Sequence, residues 1–206
     1  MKLIDISHIL DNKTPIYPGD YQTSLSSFKT IEHDYYNSVL LKTGLHTGTH
    51  IDMPMHLIDD KRTAADFPAE RFIGKGTLLN VCGEAVITMK PKYEKIVSKG
   101  SIVLLYTGFD KFYFDEKYFS EYPAVSDELA SFLISKKIKI LGMDMPAPDY
   151  APFTLHKELL ANDIFLLENL TNLDKLIGAV EIEVISFPLK ISAEASPVRA
   201  VCRIID

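Results

Sequence analysis

The sequence of 206 residues contains no tryptophan and only two cysteines. Cys82 and Cys202 are far apart and neither belongs to a Cys-x-x-Cys pair, so the sequence predicts neither a paired-cysteine zinc site nor a disulfide framework. We interpret both as ordinary buried thiols. This use of cysteine fits a protein of the reducing cytoplasm.

Long apolar runs and excess positive charge are also missing. No run reaches the length of about 18 apolar residues that a transmembrane helix needs, and residues 1–5 lead into a strand rather than into the apolar core of a signal peptide. The chain has 22 Lys and Arg against 28 Asp and Glu, a net charge of −6. We therefore expect neither a nucleic-acid partner nor a membrane partner.

The sequence does contain enough apolar material for one core, because 47% of its residues are hydrophobic. We expect one compact domain over residues 1–206, of mixed α/β class, with the chemistry in loops at strand ends. Two helices are predicted, at 126–134 with Ser126 as N-cap and at 154–162. Strands are predicted at 3–7, 38–43, 76–81, 101–107, 139–144, 163–168 and 178–187.

Three of the six histidines lie in one stretch of eleven residues, HTGTHIDMPMH, at positions 46–56. Imidazole and carboxylate groups are ligands that zinc, manganese and iron(II) accept. An ideal strand would place His46 and Asp52 roughly 20 Å apart, too far for one ion. Gly44, Gly48 and Pro54 allow the chain to bend. The stretch therefore predicts a strand that breaks into a tight loop with converging side chains; a histidine-rich surface loop is the alternative.

Further ligands have to come from elsewhere in the chain. Glu168 ends an apolar run, where a buried carboxylate needs a partner, either a metal ion or a Lys or Arg side chain. These two partners stay open at this point. His156, taken alone, is better explained as an ordinary helix histidine. Asp144 and Asp149 are further candidate carboxylates, and nothing near His8 or His33 supports a role for them.

The histidine stretch resembles the His-x-Gly-Thr-His-x-Asp-x-Pro-x-His signature of the cyclase-type metal-dependent hydrolases, which include bacterial kynurenine formamidases and isatin hydrolases. The resemblance implies a swivelling β/β/α fold in a homo-oligomer, a dimer or tetramer. It extends over nearly the whole chain, through residues 5–7, 17–20, 106–108, 141–144, 167–170 and 195–201.

The resemblance also implies roles for individual residues. One or two divalent metal ions, zinc in the first place and manganese as the alternative, would be bound by His46, His50, Asp52, His156 and Glu168. Asp52 and Glu168 would each touch both ions. His56 would be the catalytic acid/base beside a metal-activated water. The implied reaction is hydrolysis of a small aryl formamide, similar to N-formylkynurenine, or of a cyclic amide.

The pocket residues differ from the family pattern at two positions. Tyr17 stands where the kynurenine formamidases typically have a substrate-stacking tryptophan, and Ala147 stands where the family often has a serine. Tyrosine can also stack on an aromatic substrate, so Tyr17 is the predicted substrate-binding residue. Two other hypotheses remain, cyclase or lactone chemistry on a small carboxylic substrate and a metal-bearing binding protein without turnover.

Overall fold

The structure is a computed structural model and describes residues 2–205. Its strands, in chain order, are β1 (Lys2–Asp5), β2 (Ser24–Lys29), β3 (Ser38–Lys42), β4 (His50–Asp52), β5 (Ile73–Asn80), β6 (Val86–Ile87), β7 (Ile102–Tyr106), β8 (Ala124–Val125), β9 (Ile140–Met143), β10 (Phe165–Glu168), β11 (Glu181–Ile185), β12 (Ala195–Pro197) and β13 (Val201–Ile205). The α-helices are α1 (Ile31–Asp34), α2 (Tyr93–Ile96), α3 (Asp127–Ser135) and α4 (Thr154–Ala161). Short 3₁₀ helices lie at Pro54–His56, Ala64–Asp66, Ala69–Arg71, Phe109–Phe112, Glu116–Phe119 and Leu173–Leu176.

One nine-stranded sheet forms the centre of the described molecule, in the order β1-β13-β11-β5-β7-β9-β10-β4-β12. The four middle strands β5, β7, β9 and β10 are parallel, and the pairs outside them are antiparallel. Strands β2 and β3 form a separate hairpin, and β6 pairs with β8. The continuous apolar runs of β7, β9 and β10 are explained by this position, because the middle strands of a parallel sheet are buried on both faces.

Two apolar clusters lie on the two faces of the sheet. Val103 and Leu105 of β7 pack into the cluster that includes α3 and α4. Ile102 and Leu104 alternate with them and join the other cluster, together with residues of β1, β4, β11 and β13. The helices therefore cover one face, and this helix-covered face is also the one that carries the histidine cluster described below.

Most of the predicted elements are confirmed. Helix α3 begins after Ser126, whose Oγ accepts a hydrogen bond from Leu129 N at 3.3 Å, as expected of an N-cap. Helix α4 begins at Thr154 as predicted and ends at Ala161, before Asn162. The mixed α/β class is likewise confirmed. None of the helices in residues 2–205 has the length and apolar character that a membrane span requires.

Two expectations were wrong in detail. In the histidine stretch the loop comes first and the strand second, because residues 50–52 pair with both β10 and β12 and so must be extended. Cys202 is buried as expected, whereas Cys82 is exposed. Cys82 lies in the turn after β5, beside Gly83, whose φ of 82° is left-handed and turns the chain at the surface.

Candidate metal centre

Strand pairing places three acidic and imidazole side chains on one face of the sheet. Asp52 of β4 lies opposite Leu166 of β10, and His50 lies opposite Glu168. Residues two apart on a strand share a face, so His50, Asp52 and Glu168 all point to the helix-covered side. Ile51, between the two β4 residues, points the other way into the second apolar cluster.

The loop before β4 is held by hydrogen bonds to the residue after β10. Asn169 Nδ2 donates to the carbonyl of Gly48 at 3.0 Å, and Thr49 Oγ1 donates to the carbonyl of Asn169 at 2.6 Å. Gly48 has a φ of 65°, the left-handed conformation that glycine adopts most easily. His50 Nδ1 lies 2.9 Å from the same Gly48 carbonyl, which leaves Nε2 facing the carboxylates.

The remaining histidines approach Asp52 from three directions. His46 lies in the turn before β4, with Nδ1 2.9 Å from Asp52 Oδ1. His156 is on α4, and its Nε2 lies 3.5 Å from Asp52 Oδ2. The 3₁₀ helix Pro54–His56 turns His56 back, so that its Nε2 lies 4.0 Å from the same oxygen. The structure therefore brings together all six residues that were predicted as ligands or acid/base.

In both Asp52 and Glu168, the two carboxylate oxygens face different histidines. Asp52 Oδ1 faces His46 and His50, whereas Asp52 Oδ2 faces His156 and His56. Glu168 Oε2 lies 3.4 Å from His50 Nε2, and Oε1 lies 3.9 Å from His156 Nε2. Within residues 2–205 no lysine or arginine forms an ion pair with Glu168. Of the two partners left open for this carboxylate, a Lys or Arg side chain is therefore not found among the described residues, and the neighbours are two potential metal ligands, His50 and His156.

The cluster has buried polar atoms that the described protein leaves without hydrogen bonds. They are His50 Nε2, His156 Nε2, Asp52 Oδ2 and Glu168 Oε1, together with Asp52 Oδ1, whose 2.9 Å contact with His46 Nδ1 is an ion-pair contact without hydrogen-bond geometry. Buried polar groups are nearly always satisfied, and a buried unpaired charge is costly. Nitrogen and carboxylate oxygen are ligands of divalent zinc and manganese. This donor set fits a divalent metal ion, as the sequence predicted.

Two sets of three ligand atoms lie close enough to hold an ion, with atoms within 4.8 Å of one another. One set is His50, Asp52 and Glu168. The other is His46, Asp52 and His56, so the geometry admits His56 as a ligand as well as an acid/base. Asp52 belongs to both sets.

The pKa values follow from burial and mutual charge. Burial disfavours the charged form of Asp52, but His46 and His50 outweigh it and hold the pKa of Asp52 well below its usual range. Burial likewise opposes charge on His46, yet Asp52 raises its pKa to about 9. For His56, burial dominates and lowers the pKa to about 4, against the attraction of Asp52. Burial raises the pKa of Glu168. The pKa of His56 is thus lower than the near-neutral value expected from its residue type, and its imidazole is uncharged at pH 7.

A pocket of about 200 Å³ opens over the cluster. Its wall away from the metal-ligand side chains is mainly aromatic and apolar, with Tyr17, Leu57, Phe119, Pro146, Ala147 and Phe153, and also includes the polar residues Asp20 and Asn169. Tyr17 meets Phe119 edge-on with ring centroids 5.7 Å apart. A larger cavity of about 490 Å³, near Phe72 and Leu189, contains none of the six clustered residues. Both positions at which the sequence differs from the family pattern, Tyr17 and Ala147, therefore line the pocket at the cluster. Tyr17 is the predicted substrate-binding residue.

Some residues near the site carried no decisive signal in the sequence. Glu194 Oε1 lies 3.5 Å from His46 Nε2, although the two residues are far apart in the chain. Asn169 follows Glu168, but its contact with Gly48 depends on the fold. Of the other candidates, Asp144 accepts hydrogen bonds from Thr107 and Gly108. His8 stacks on Tyr113 and His33 lies on α1, so neither belongs to the cluster.

Comparison with known proteins agrees with this geometry. The model of the family described as "Cyclase: Putative cyclase" matches residues 4–150. This chain belongs to the cyclase family. A kynurenine formamidase of Bacillus cereus is 32% identical over 207 residues, which cover 97% of this chain and 96% of the relative. The predicted membership of the cyclase family is therefore confirmed.

Solved structures share the fold along nearly the whole chain. An isatin hydrolase bound to the product analogue thioisatinate superposes with a TM-score of 0.87 at 24% identity, covering 98% of this chain and 91% of that chain. A protein described as a potential metal-dependent hydrolase with cyclase activity gives a TM-score of 0.78 at 23% identity, covering 98% of both chains. Together with the formamidase relatives and the ligand cluster, these matches support metal-dependent hydrolysis as the class of reaction in this member of the cyclase family.

Proposed function

We propose that this protein hydrolyses the carbon–nitrogen bond of a small aryl formamide, of the N-formylkynurenine type, or opens a cyclic amide. The observation that carries the proposal is the group of buried, unpartnered ligand atoms at the base of an aromatic pocket. The formamide is favoured because the curated relatives that match over 97% of this chain are kynurenine formamidases. The cyclic amide is the second choice, by analogy with the isatin hydrolase structure.

The metal would be held by His46, His50, Asp52, His156 and Glu168. The oxygens of Asp52 and of Glu168 face histidines on two sides, so both carboxylates would help to hold one or two ions. We propose zinc as the metal and manganese as the alternative, since both accept this donor set. When bound, such an ion acidifies a water molecule and stabilises the negative charge that develops on the attacked carbonyl oxygen.

His56 is the proposed acid/base. Its side chain is 27% exposed and its ring lies 4.0 Å from that of His46, at the edge of the cluster and on the pocket wall. With its pKa lowered to about 4 by burial, the neutral imidazole can accept a proton from the attacking water. The imidazolium can then give this proton to the departing amine nitrogen, which must leave protonated.

We propose that Tyr17 and Phe119 form the binding site for the aromatic ring of the substrate. The two rings are in edge-to-face contact, and Tyr17, which lines the pocket, is 37% exposed. An aromatic substrate ring packed there would gain contacts of the kind that stabilise aromatic pairs. The small side chain of Ala147 contributes to the apolar wall without a hydroxyl group.

We also propose a homo-oligomer, a dimer or tetramer. The support is the β2–β3 hairpin, which pairs with no other strand among the described residues. An isolated two-stranded sheet is marginally stable in water. The hairpin nevertheless exposes large apolar side chains, namely Phe28, Ile31, Tyr35, Tyr36, Val39, Leu40 and Leu41. Exposed apolar patches of this kind mark interaction surfaces. The cytoplasmic location stays a prediction.

The test combines metal binding with product analysis. Metal-stripped protein is titrated with zinc, and separately with manganese, by calorimetry, and then assayed with formanilide and with isatin in ¹⁸O-labelled water. Turnover that requires the metal and places ¹⁸O in the acid product supports the proposal. Closure of the open-chain acid isatinate to isatin in a parallel assay would indicate cyclase chemistry, and a thermal shift without any product would indicate a binding protein.

A further inference from the structure

A further carboxylate, besides Asp52 and Glu168, lies next to His156. Asp149 lies in the segment before α4, and its Oδ1 is 4.0 Å from His156 Nδ1. This separation exceeds a hydrogen bond, yet both atoms are buried and neither has another hydrogen-bond partner among residues 2–205. The opposite ring atom, His156 Nε2, faces Asp52 and Glu168. Asp149 thus lies on the side of His156 away from the proposed metal.

The position of Asp149 is fixed by two further contacts. Asp149 Oδ2 accepts a hydrogen bond from Leu155 N at 2.9 Å, in the first turn of α4. The carbonyl of Asp149 accepts one from Tyr122 Oη at 2.8 Å. The N-cap residue of α4, Phe153, makes no side-chain cap. One carboxylate oxygen therefore caps the helix, which leaves the other directed towards His156.

The two buried histidines of the cluster, His50 and His156, differ in the hydrogen bonding of Nδ1, the ring nitrogen that points away from the carboxylates. The Nδ1 atom of His50 lies 2.9 Å from the carbonyl of Gly48, which selects the tautomer with hydrogen on Nδ1. No backbone carbonyl does this for His156, because its Nδ1 has no hydrogen-bond partner within the described chain. Asp149 is the acidic group facing that atom. A metal-bound histidine usually donates its other N–H to a carboxylate or carbonyl group.

We infer that Asp149 is a positioning residue, which holds a proton on His156 Nδ1 so that Nε2 presents its lone pair to the metal. The inference rests on the proposed metal-dependent function and adds a residue outside the ligand set. The carboxylate does not touch substrate or metal. It orients His156 and strengthens it as a ligand, and the same side chain ties that orientation to the first turn of α4.

The test is zinc affinity in Asp149→Asn, measured by calorimetry with a competing chelator. The asparagine oxygen can still accept from Leu155 N, so the helix cap is kept. Its amide NH₂ then faces His156 Nδ1 and favours the opposite tautomer, with hydrogen on Nε2. We expect zinc affinity to fall about 10- to 100-fold, the usual effect of losing such a partner, while the melting temperature of the metal-free protein changes little.

The matched control is Asp127→Asn, which removes the same charge from the first turn of α3. It should leave zinc affinity unchanged. If Asp149→Asn also binds zinc with parental affinity, the positioning role is overturned and only the cap remains. If the parent itself binds neither zinc nor manganese, both this inference and the proposed function are overturned.

A measurement on the parent protein does not depend on how the variant folds. The ¹⁵N chemical shifts of His156 in the zinc-loaded protein distinguish its two ring nitrogens. We expect a protonated Nδ1 and a zinc-bound Nε2. A protonated Nε2 with zinc on Nδ1 would contradict the inference. Asp149→Ser, which removes the carboxylate without introducing an amide NH₂ group, should lose zinc affinity by a similar factor.

Discussion

Glu168 and His50 are opposed residues on the antiparallel strands β10 and β4, and Glu168 Oε2 lies 3.4 Å from His50 Nε2. Two residues further along each strand, Asp52 of β4 lies opposite Leu166 of β10. Side chains alternate between the faces of a sheet, so a shift of one residue would turn His50 and Asp52 into the opposite apolar cluster. The backbone register of three residues therefore fixes the centre of the site.

Glu168→Gln should reduce the number of bound ions. The amide removes the negative charge that faces both His50 and His156. We expect calorimetry to give two zinc ions per chain in the parent and one or none in the variant. Glu158→Gln, on the exposed side of α4, is the control and should bind as the parent does. Equal stoichiometry in Glu168→Gln and the parent would contradict a shared carboxylate.

His56→Asn should lose rate and keep metal. General acid–base groups contribute about 10²–10⁴-fold to rate, so we expect kcat for formanilide to fall within that range. Zinc stoichiometry should stay at the parental value, because the proposed ligands are unchanged. Loss of zinc together with rate would show that His56 is a ligand, as its membership of one three-residue set allows.

Tyr17→Ala should weaken the binding of aromatic substrates. An aromatic pair contributes about 0.5–1.5 kcal/mol, which corresponds to a rise in KM of about 2- to 12-fold. Tyr17→Phe keeps the ring and should behave like the parent. Tyr21→Ala controls for loss of an exposed tyrosine that does not line the pocket. A parental KM in Tyr17→Ala would exclude a stacking role.

Gly76→Ala should destabilise the sheet, whereas Gly74→Ala should not. A methyl group on Gly76 would lie 2.8 Å from side-chain atoms of both Ile182 and Val184, and these β-branched neighbours have little rotamer freedom. The overpacking should cost about 1–3 kcal/mol in the free energy of unfolding. On the same strand, a methyl group at Gly74 meets nothing closer than 3.6 Å. Urea denaturation of both variants measures the difference, and equal stabilities would refute it.

His8 should make the protein less stable in mild acid. Burial lowers its pKa from 6.5 to about 4, so the unfolded chain binds more protons than the folded chain between these values. The contribution of neutral His8 to the free energy of unfolding is fully present well above pH 6.5 and is lost as the pH falls towards 4. Linkage gives a loss of about 2 kcal/mol between pH 7 and pH 5.

The variant His8→Phe isolates the contribution of His8 to the pH dependence of the free energy of unfolding. Phenylalanine keeps a ring that can stack on Tyr113 but cannot take up a proton. Between pH 7 and pH 5, the free energy of unfolding measured in urea should therefore fall by about 2 kcal/mol more in the parent than in the variant. A constant difference between the two proteins would show that His8 does not titrate as stated.

The sequence was informative where local pattern decides structure. The apolar runs of β7, β9 and β10 and the Ser126 cap of α3 are local signals, and each is found in the structure. The three-residue strands β4 and β12 were not predicted as such, because they exist through pairing with distant partners. For the same reason the sequence could not show that β2 and β3 form a hairpin apart from the main sheet.

The candidate site was predicted unevenly. His46, His50, Asp52 and His56 are recognisable from one motif, whereas His156 and Glu168 were assigned through family resemblance. The structure brings all six together, and their individual roles stay predictions. Glu194 faces His46 across a long stretch of chain, so spacing alone could not relate it to the motif. Asp149 was a candidate carboxylate in the sequence, but its place beside His156 Nδ1 depends on how the chain enters α4.

The pairing of β4 with β12 has a consequence for synthesis of the chain on the ribosome. Asp52 and His50 lie opposite Ala195 and Pro197, and the other proposed ligands come from residues 156 and 168. A nascent chain that ends before β10 has the histidine motif but neither of the strands that hold it extended. The complete set of proposed ligands can therefore come together only after almost complete synthesis, because two of its members and both strands that pair with β4 are translated late.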